Sequence, residues 1–401
     1  MVVASESVII DGLRSPFGKL GGSLSTLSAV ELAAPLIRTL LSRYQITGDQ
    51  VDEVILGQVI QAGCGQIPSR QALFMAGLPA TCESTTVNKV CASGMRAVTL
   101  ADLRIRAGDG QLIIAGGMES MSQAPYLVEA NVARFGKRMG NATFKDAMIL
   151  DGLECPIAHV HMAVHGANVA DEFKISRQSQ DEWALRSHER AIKAQASKRF
   201  AKEILPVSVR QAKGEAKVIE DDEGPRSDTN LKALAALKPV FVENGSVTAG
   251  NAPGVNDGAC VLIVTSANLA KELGLKPLAR IVTHASIGQD VPYLATVPAL
   301  ATQKALKKAG LTVGDLDLIE INEAFASVPL KSMQMLGVDA EKVNVNGGAI
   351  ALGHPIGASG ARIILTLAKE MQSRGVKYGA AAICSGTAQG DCLILSREGL
   401  D

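Results

Sequence analysis

A short motif occurs twice in this 401-residue chain, and it constrains the fold more than any other feature. Ala92-Ser93-Gly94 with Arg96 returns as Ala358-Ser359-Gly360 with Arg362, 266 residues later (358 − 92). Each copy leads into a helical pattern, then a glycine (Gly108, Gly375), then an apolar run ending in Gly117 or Gly386. Upstream, VDEVILG (51–57) parallels LDLIEIN (316–322) at an offset of 265 (322 − 57). Two separate segments that share nearly one offset predict two similar halves. Apolar runs at 51–60, 111–117, 260–266, 316–322 and 379–386 predict buried strands, and 3.6-residue periodicity predicts helices over 29–44, 93–108, 178–195 and 359–375. Strands alternating with helices predict an α/β fold with largely parallel, buried sheets.

The middle of the chain, about 122–252, breaks the repeat. It carries most of the histidines, a long charged helical pattern and the polar stretch 210–230. It reads as an insertion between the halves, of the kind that covers a site. The expected division is therefore 1–121 plus 253–275 for the N-terminal half, 122–252 for the inserted loop domain and 276–401 for the C-terminal half. Lys+Arg and Asp+Glu both total 40, without the basic excess of a nucleic-acid binder. Seven scattered cysteines with no C-x-x-C pair point to a reducing compartment. No apolar run approaches 18 residues, and the first residues carry no secretory or transit bias. The cytoplasm is the expected location, with no membrane and no nucleic-acid partner.

Chemistry gathers at a few places. In NKVCASGMRA (88–97), Cys91 precedes a helix, where the dipole favours thiolate by at most ~2 kcal/mol. Taken alone, a cysteine there reads more readily as a buried structural thiol than as a nucleophile. In NVNGGAIALGHPIGASGAR (344–362), His354 precedes the equivalent helix of the second half, either as a positioned side chain or as part of a tight capping turn. If the halves face each other, Cys91 and His354 meet. Cys384 ends the strand of GAAAICSGTAQGD (379–391), at the position read as equivalent to Ala115, and the small turn after it offers N–H groups to an oxyanion. Asn322 of NEAFA orients a water or an oxyanion, or else caps a helix. His161 and His165 have the spacing of a metal pair, but no carboxylate or cysteine completes a set, so a pocket-lining loop without metal is expected.

Taken together these segments resemble the thiolase family. RSPFGKLGGSL (14–24), GQVIQAGCGQIPSRQA (57–72), NKVCASGMRA, AGGMESMSQAPY (115–126), TAGNAPGVNDGA (248–259), NEAFA (322–326), GGAIALGHPIGASGAR and the Cys384 turn match family motifs in order, almost end to end. The resemblance implies two α/β halves stacked in layers, an inserted loop domain that binds coenzyme A, and a homotetramer. It implies Cys91 as the acylated nucleophile, His354 as its activator and Cys384 as the group that moves the α-proton. Asn322 would fix a water in one oxyanion hole, and the N–H groups of Cys91 and Gly386 would form another. Met162, Arg226, Leu237, Ala249, Ala324 and Phe325 match positions that line the coenzyme A pocket. The implied activity is that of an acetyl-coenzyme A C-acetyltransferase, with coenzyme A and acyl-coenzyme A as substrates and no cofactor. A longer-chain 3-ketoacyl thiolase, a degenerate acyl-coenzyme A binding protein and a Cys91–His354 hydrolase are the alternatives. The chain departs from the family pattern in HMAVHGAN (161–168), at Pro253 and at Thr387-Ala388. All three fall beside the expected pocket and bear on substrate preference.

Overall fold

The computed structural model describes residues 6–211 and 214–400. Residues 1–5, 212–213 and 401 lie outside it, and with them parts of the chain's ends and of the polar stretch 210–230 read above. The first half supplies β1 (Ser7–Arg14), α1 (Ala29–Arg43), β2 (Glu53–Gly57), α2 (Pro68–Ala76), β3 (Glu83–Val87), α3 (Ser93–Ala107) and β4 (Leu112–Ser120). The insertion contributes α4 (Met162–Glu172) and α5 (Arg177–Ala196), and β5 (Asn256–Ser266) returns the chain to the first half. The second half holds β6 (Ala279–Gly288), α6 (Val297–Ala309), β7 (Leu318–Ile321), α7 (Ser327–Leu336), α8 (Ser359–Arg374), β8 (Tyr378–Ser385) and β9 (Gln389–Ser396).

The strands run in the order β7-β8-β9-β6-β1-β5-β4-β2-β3, and the short strand Gly18–Lys19 pairs with β5. The expectation of largely parallel sheets is corrected here. In this sheet only β2–β3, β2–β4 and β7–β8 pair in parallel. β1–β5, β4–β5, β1–β6, β6–β9 and β8–β9 are antiparallel. The turn between β8 and β9 is too short for the crossover that parallel neighbours need. Pairing also corrects the repeat. Leu56 faces Gly116 and Ile321 faces Ala382, so Cys384 is the counterpart of Met118, not of Ala115.

The two halves join edge to edge through only Val8–Arg280 and Ile9–Ala279, then fold over a shared helical layer. Alternation along the strands makes the layers. Val8 and Ile10 of β1, with Val54 and Leu56 of β2, pack on α1 and α2. Ile9 and Ile55, pointing the other way, pack on α3 and α8 together with Ala381 and Ile383 of β8. The outer face of the second half, Ile319, Ile321, Ala380 and Ala382, packs on α6 and α7. The result is five layers, helix–sheet–helix–sheet–helix, with β1, β2, β4, β5 and β7 buried along their whole length and β3 and β6 only in part.

The repeated glycines mark where the central helices cross. A Cβ on Gly94 would stand 2.8 Å from the Gly357 carbonyl, and one on Gly360 would stand 2.4 Å from the Met95 nitrogen. The ASGxR motif is therefore a close-approach signature, written once per half.

Two buried polar clusters fasten the insertion. Glu323 accepts hydrogen bonds from Trp183 Nε1, Ser187 Oγ, Asn344 Nδ2 and Ile350 N–H, tying α5 to the segment that follows β7. Arg14, at the end of β1, reaches Glu203 at 2.8 Å and Asp222 at 2.6 Å, both from the insertion. Among the described residues no helix is long and apolar enough to cross a membrane.

Candidate active site

Cys91 sits in the loop between β3 and α3. The residue before it, Val90, has φ 47°, in the left-handed region that a β-branched side chain rarely enters. Such strain persists only where the surroundings over-determine it, and it clusters at functional sites. Here Ser93 Oγ accepts from the Lys89 N–H at 2.8 Å and donates to the Val90 carbonyl at 2.6 Å. From the other half, the Ser385 hydroxyl donates to the Lys89 carbonyl, and Lys89 pairs with Asp391 at 2.7 Å. The β8–β9 hairpin thus holds the Cys91 loop directly.

His354 is held as firmly. Its N–H donates to Asn256 Oδ1 at 2.8 Å, and the Asn256 amide in turn donates to the Gly18 carbonyl at 2.9 Å. Gly353, at φ 110°, has no room for a Cβ, which would come 2.6 Å from the Asn256 amide. The imidazole Nδ1 lies 2.6 Å from Ser359 Oγ, and Nε2 has no protein partner. Burial, with Arg362 second, pushes the ring down to about 3, so it is neutral at rest.

These groups converge. Cys91, His354, Cys384 and Gly386 line one cavity of about 310 Å³. Met162, Ala249, Ala324 and Phe325 line the same cavity. The backbone N–H groups of Cys91 and Gly386 both address the Cys91 sulfur, and each draws its pKa down. Burial outweighs them and pushes the thiol up to about 12. Cys384 is also pushed up, first by burial and then by Cys91 beside it. This fits the small size expected of the helix dipole: a terminus worth at most ~2 kcal/mol does not offset the desolvation of the sulfur, so a base partner is needed. The resting site is a thiol beside a neutral imidazole, so thiolate forms only as a proton is taken from it. Alkylation of Cys91 by iodoacetamide in the free protein is therefore expected to rise about tenfold per pH unit from pH 7 to 10. Peptide mass spectrometry measures it, and a plateau below pH 8 would instead indicate a preformed ion pair.

Asn322 is absent from that lining. It follows β7, wholly buried, and neither atom of its amide has a protein partner. It caps no helix, since α7 begins at Ser327 with Ala326 before it. A buried amide with both ends free is built to hold a small polar molecule such as water.

A second hollow of about 390 Å³ adjoins the first through Ala249, Ala252, Gly254 and Val255, which line both. Arg226 and Leu237 line this outer hollow, together with Lys19 and His188. His188 Nδ1 accepts from the Arg226 N–H at 3.1 Å, and burial, with Arg226 second, pushes the ring down to about 4. The departures from the family pattern lie where expected. Pro253, His161 and Ala163 line the inner cavity, while Thr387 and Ala388 adopt φ 59° and 54° in the turn after Gly386. His161 stacks on Phe241 with centroids 3.9 Å apart, and its Nδ1 caps α4 by accepting from the Ala163 N–H. His165 is buried with neither ring nitrogen bonded. Among the described residues no group of three or more His, Cys, Asp or Glu is placed to hold a metal.

Sequence reasoning missed Ser359, Asn256 and Glu119. Glu119 is a buried carboxyl that accepts from the Val59, Ile60 and Gly357 N–H groups, and burial pushes it up to about 8. All three lie inside motifs quoted above, and Ser359 is also a member of the repeated one.

Both halves of the chain match known proteins. Residues 7–268 match the thiolase N-terminal domain and residues 275–397 the thiolase C-terminal domain. The acetyl-CoA acetyltransferases of Allochromatium vinosum and Escherichia coli K12 are each 48% identical over 390 residues, covering 97% of this chain and 98% of theirs. The crystal structure of the Bacillus anthracis acetyl-CoA acetyltransferase is 41% identical with a TM-score of 0.96, over 99% of this chain and 100% of that one. Likeness of this extent, running through both halves and the insertion between them, means that the chain belongs to the thiolase family.

Proposed function

We propose that this chain is an acetyl-coenzyme A C-acetyltransferase, which makes or cleaves acetoacetyl-coenzyme A through an acyl group carried on Cys91. The observation that carries the reading is the meeting of two thiols and one imidazole from opposite halves in a single cavity. His354 takes the Cys91 proton as the sulfur attacks the thioester, which splits one difficult step into two easier ones. Cys384 moves the α-proton of the second acyl thioester, whose carbanion then attacks acyl-Cys91. Two carbonyls take up charge, so two donor sets are needed. Asn322, through a water, and His354 serve one, and the N–H groups of Cys91 and Gly386 serve the other. Coenzyme A lies along the outer hollow, where Lys19 and Arg226 suit its phosphates.

The supporting experiment is thiolysis across 3-ketoacyl-coenzyme A chain lengths, with the highest kcat/KM expected for acetoacetyl-coenzyme A. A longer-chain 3-ketoacyl thiolase is the second reading. It is favoured by a further hollow that shares Val90, Gly152, Met162 and Gly386 with the inner cavity and continues to Leu150 and Pro156. A maximum at six or more carbons would select it. Cys384→Ser is expected to let acetyl-coenzyme A label Cys91 while slowing carbon–carbon exchange about 10²–10⁴-fold. Equal loss in both half-reactions would remove the separate role of Cys384. A homotetramer in the cytoplasm completes the proposal. The exposed Phe135, Met139 and Phe144 of the insertion are apolar surface of the kind that subunit contacts cover.

A further inference from the structure

Ser93 and Ser359 are repeat equivalents, both wholly buried, and each hydroxyl stands between two partners. Around Ser93 both partners are backbone, so the directions are fixed: the oxygen accepts from the Lys89 N–H and the proton goes to the Val90 carbonyl. Around Ser359 the carbonyl is that of Pro355, at 2.9 Å, and the second partner is His354 Nδ1 at 2.6 Å. A carbonyl oxygen only accepts, so the Ser359 proton has its acceptor in Pro355, as its counterpart has in Val90. The lone pair left on Oγ then faces Nδ1. We infer that Ser359 is a positioning residue: by accepting from Nδ1–H it fixes the tautomer of His354 and leaves Nε2 bare toward the cavity.

This inference rests on the reading of His354 as the base for Cys91. A ring protonated on Nε2 has no lone pair there to take a second proton, however well placed it is. With Ser359 accepting, nothing need turn during the step. The proton leaves Cys91 Sγ for Nε2 while Nδ1 keeps its own. The sulfur pair forms the new C–S bond, the bond to coenzyme A breaks, and the departing thiolate takes the proton from Nε2. One half of the repeat uses its serine to hold the loop of the nucleophile, and the other uses it to hold the base.

The test combines a spectrum with a rate. In full-length protein labelled with 15N-histidine, the His354 resonance, identified by its loss in His354→Gln, is expected to show a protonated Nδ1 and an unprotonated Nε2. Ser359→Ala is expected to form acetyl-Cys91 about 10²-fold more slowly than wild type with a smaller change in KM for acetyl-coenzyme A. Ser359→Thr, which keeps a hydroxyl, is expected to recover most of that rate. A wild-type His354 protonated on Nε2 overturns the assignment. So does a folded Ser359→Ala that acetylates Cys91 at the wild-type rate. If Ser359→Ala does not fold, the wild-type tautomer alone decides. A wild type with the expected tautomer that acetyl-coenzyme A never labels at Cys91 would instead overturn the proposed function and leave the assignment standing.

Discussion

Cys91→Ala is expected to lower thiolysis of acetoacetyl-coenzyme A by at least about 10⁴-fold, the scale on which enzymes lose activity when a covalent nucleophile is removed. The loss lies in kcat rather than in binding. The outer hollow, with Lys19, Arg226 and Leu237, is untouched by the change, so acyl-coenzyme A still binds. His354, Cys384 and the Gly386 N–H also remain, but they serve an acyl transfer that has no acceptor. Folding is spared for a local reason. The Cys91 side chain faces a cavity that already exists, so its loss extends open space and leaves no sealed void in a close-packed core. The strained Val90 conformation does not depend on sulfur, since Ser93, Ser385 and backbone bonds hold it. Steady-state thiolysis and a thermal melt check both halves of the expectation. More than a hundredth of wild-type activity in a variant with an unchanged melt would remove Cys91 from the chemistry.

What could be read from the sequence follows from range. The five predicted strands and four predicted helices all form. Helices α1, α3 and α8 end within a residue of their predicted limits, because glycine, capping residues and periodicity act locally. The repeat was legible because Gly94 and Gly360 answer one steric demand, the close crossing of α3 and α8. Strand direction was not legible. β6 carries Arg280, Thr283, His284 and Ser286, so it lacks the apolar run of a buried strand, and its antiparallel place beside β9 is set by register across more than a hundred residues. The protonation state of Cys91 was not legible for a related reason. A helix start can be seen in sequence, but the water lost from a sulfur depends on what the other half of the chain brings to it.

Arg14 presents the same long-range logic as energy. Replacing it with methionine is expected to cost about 3–5 kcal/mol of stability, the usual loss when one partner of a buried ion cluster is removed. The guanidinium is wholly buried and makes a fork onto Asp222, at 2.6 and 2.8 Å, while Nε meets Glu203 at 2.8 Å. Without it, Asp222 keeps the Phe17 N–H at 2.7 Å, and Glu203 keeps Thr366 and a longer contact to Arg199 at 3.4 Å. Glu203 is then left with one distant cation, and Asp222 with the Phe17 N–H in place of its guanidinium fork. Methionine fills much of the same space between Phe17 and Phe200, so the loss is one of charge and fork geometry more than of volume. Arg14→Lys restores the charge without the fork and is expected to fall between the two. For a chain of this length the methionine variant is expected to melt lower by on the order of 5 °C. Because Glu203 and Asp222 belong to the insertion, the polar stretch 210–230 is expected to be cut first in limited proteolysis of the variant. Activity is expected to fail below the global melt, since the insertion lines much of the catalytic cavity, with Met162, Phe241 and Thr248 among its residues there. An Arg14→Met protein that melts within 1 °C of wild type would show that the insertion is anchored by apolar packing and the Glu323 cluster, and that the buried ions add nothing to it.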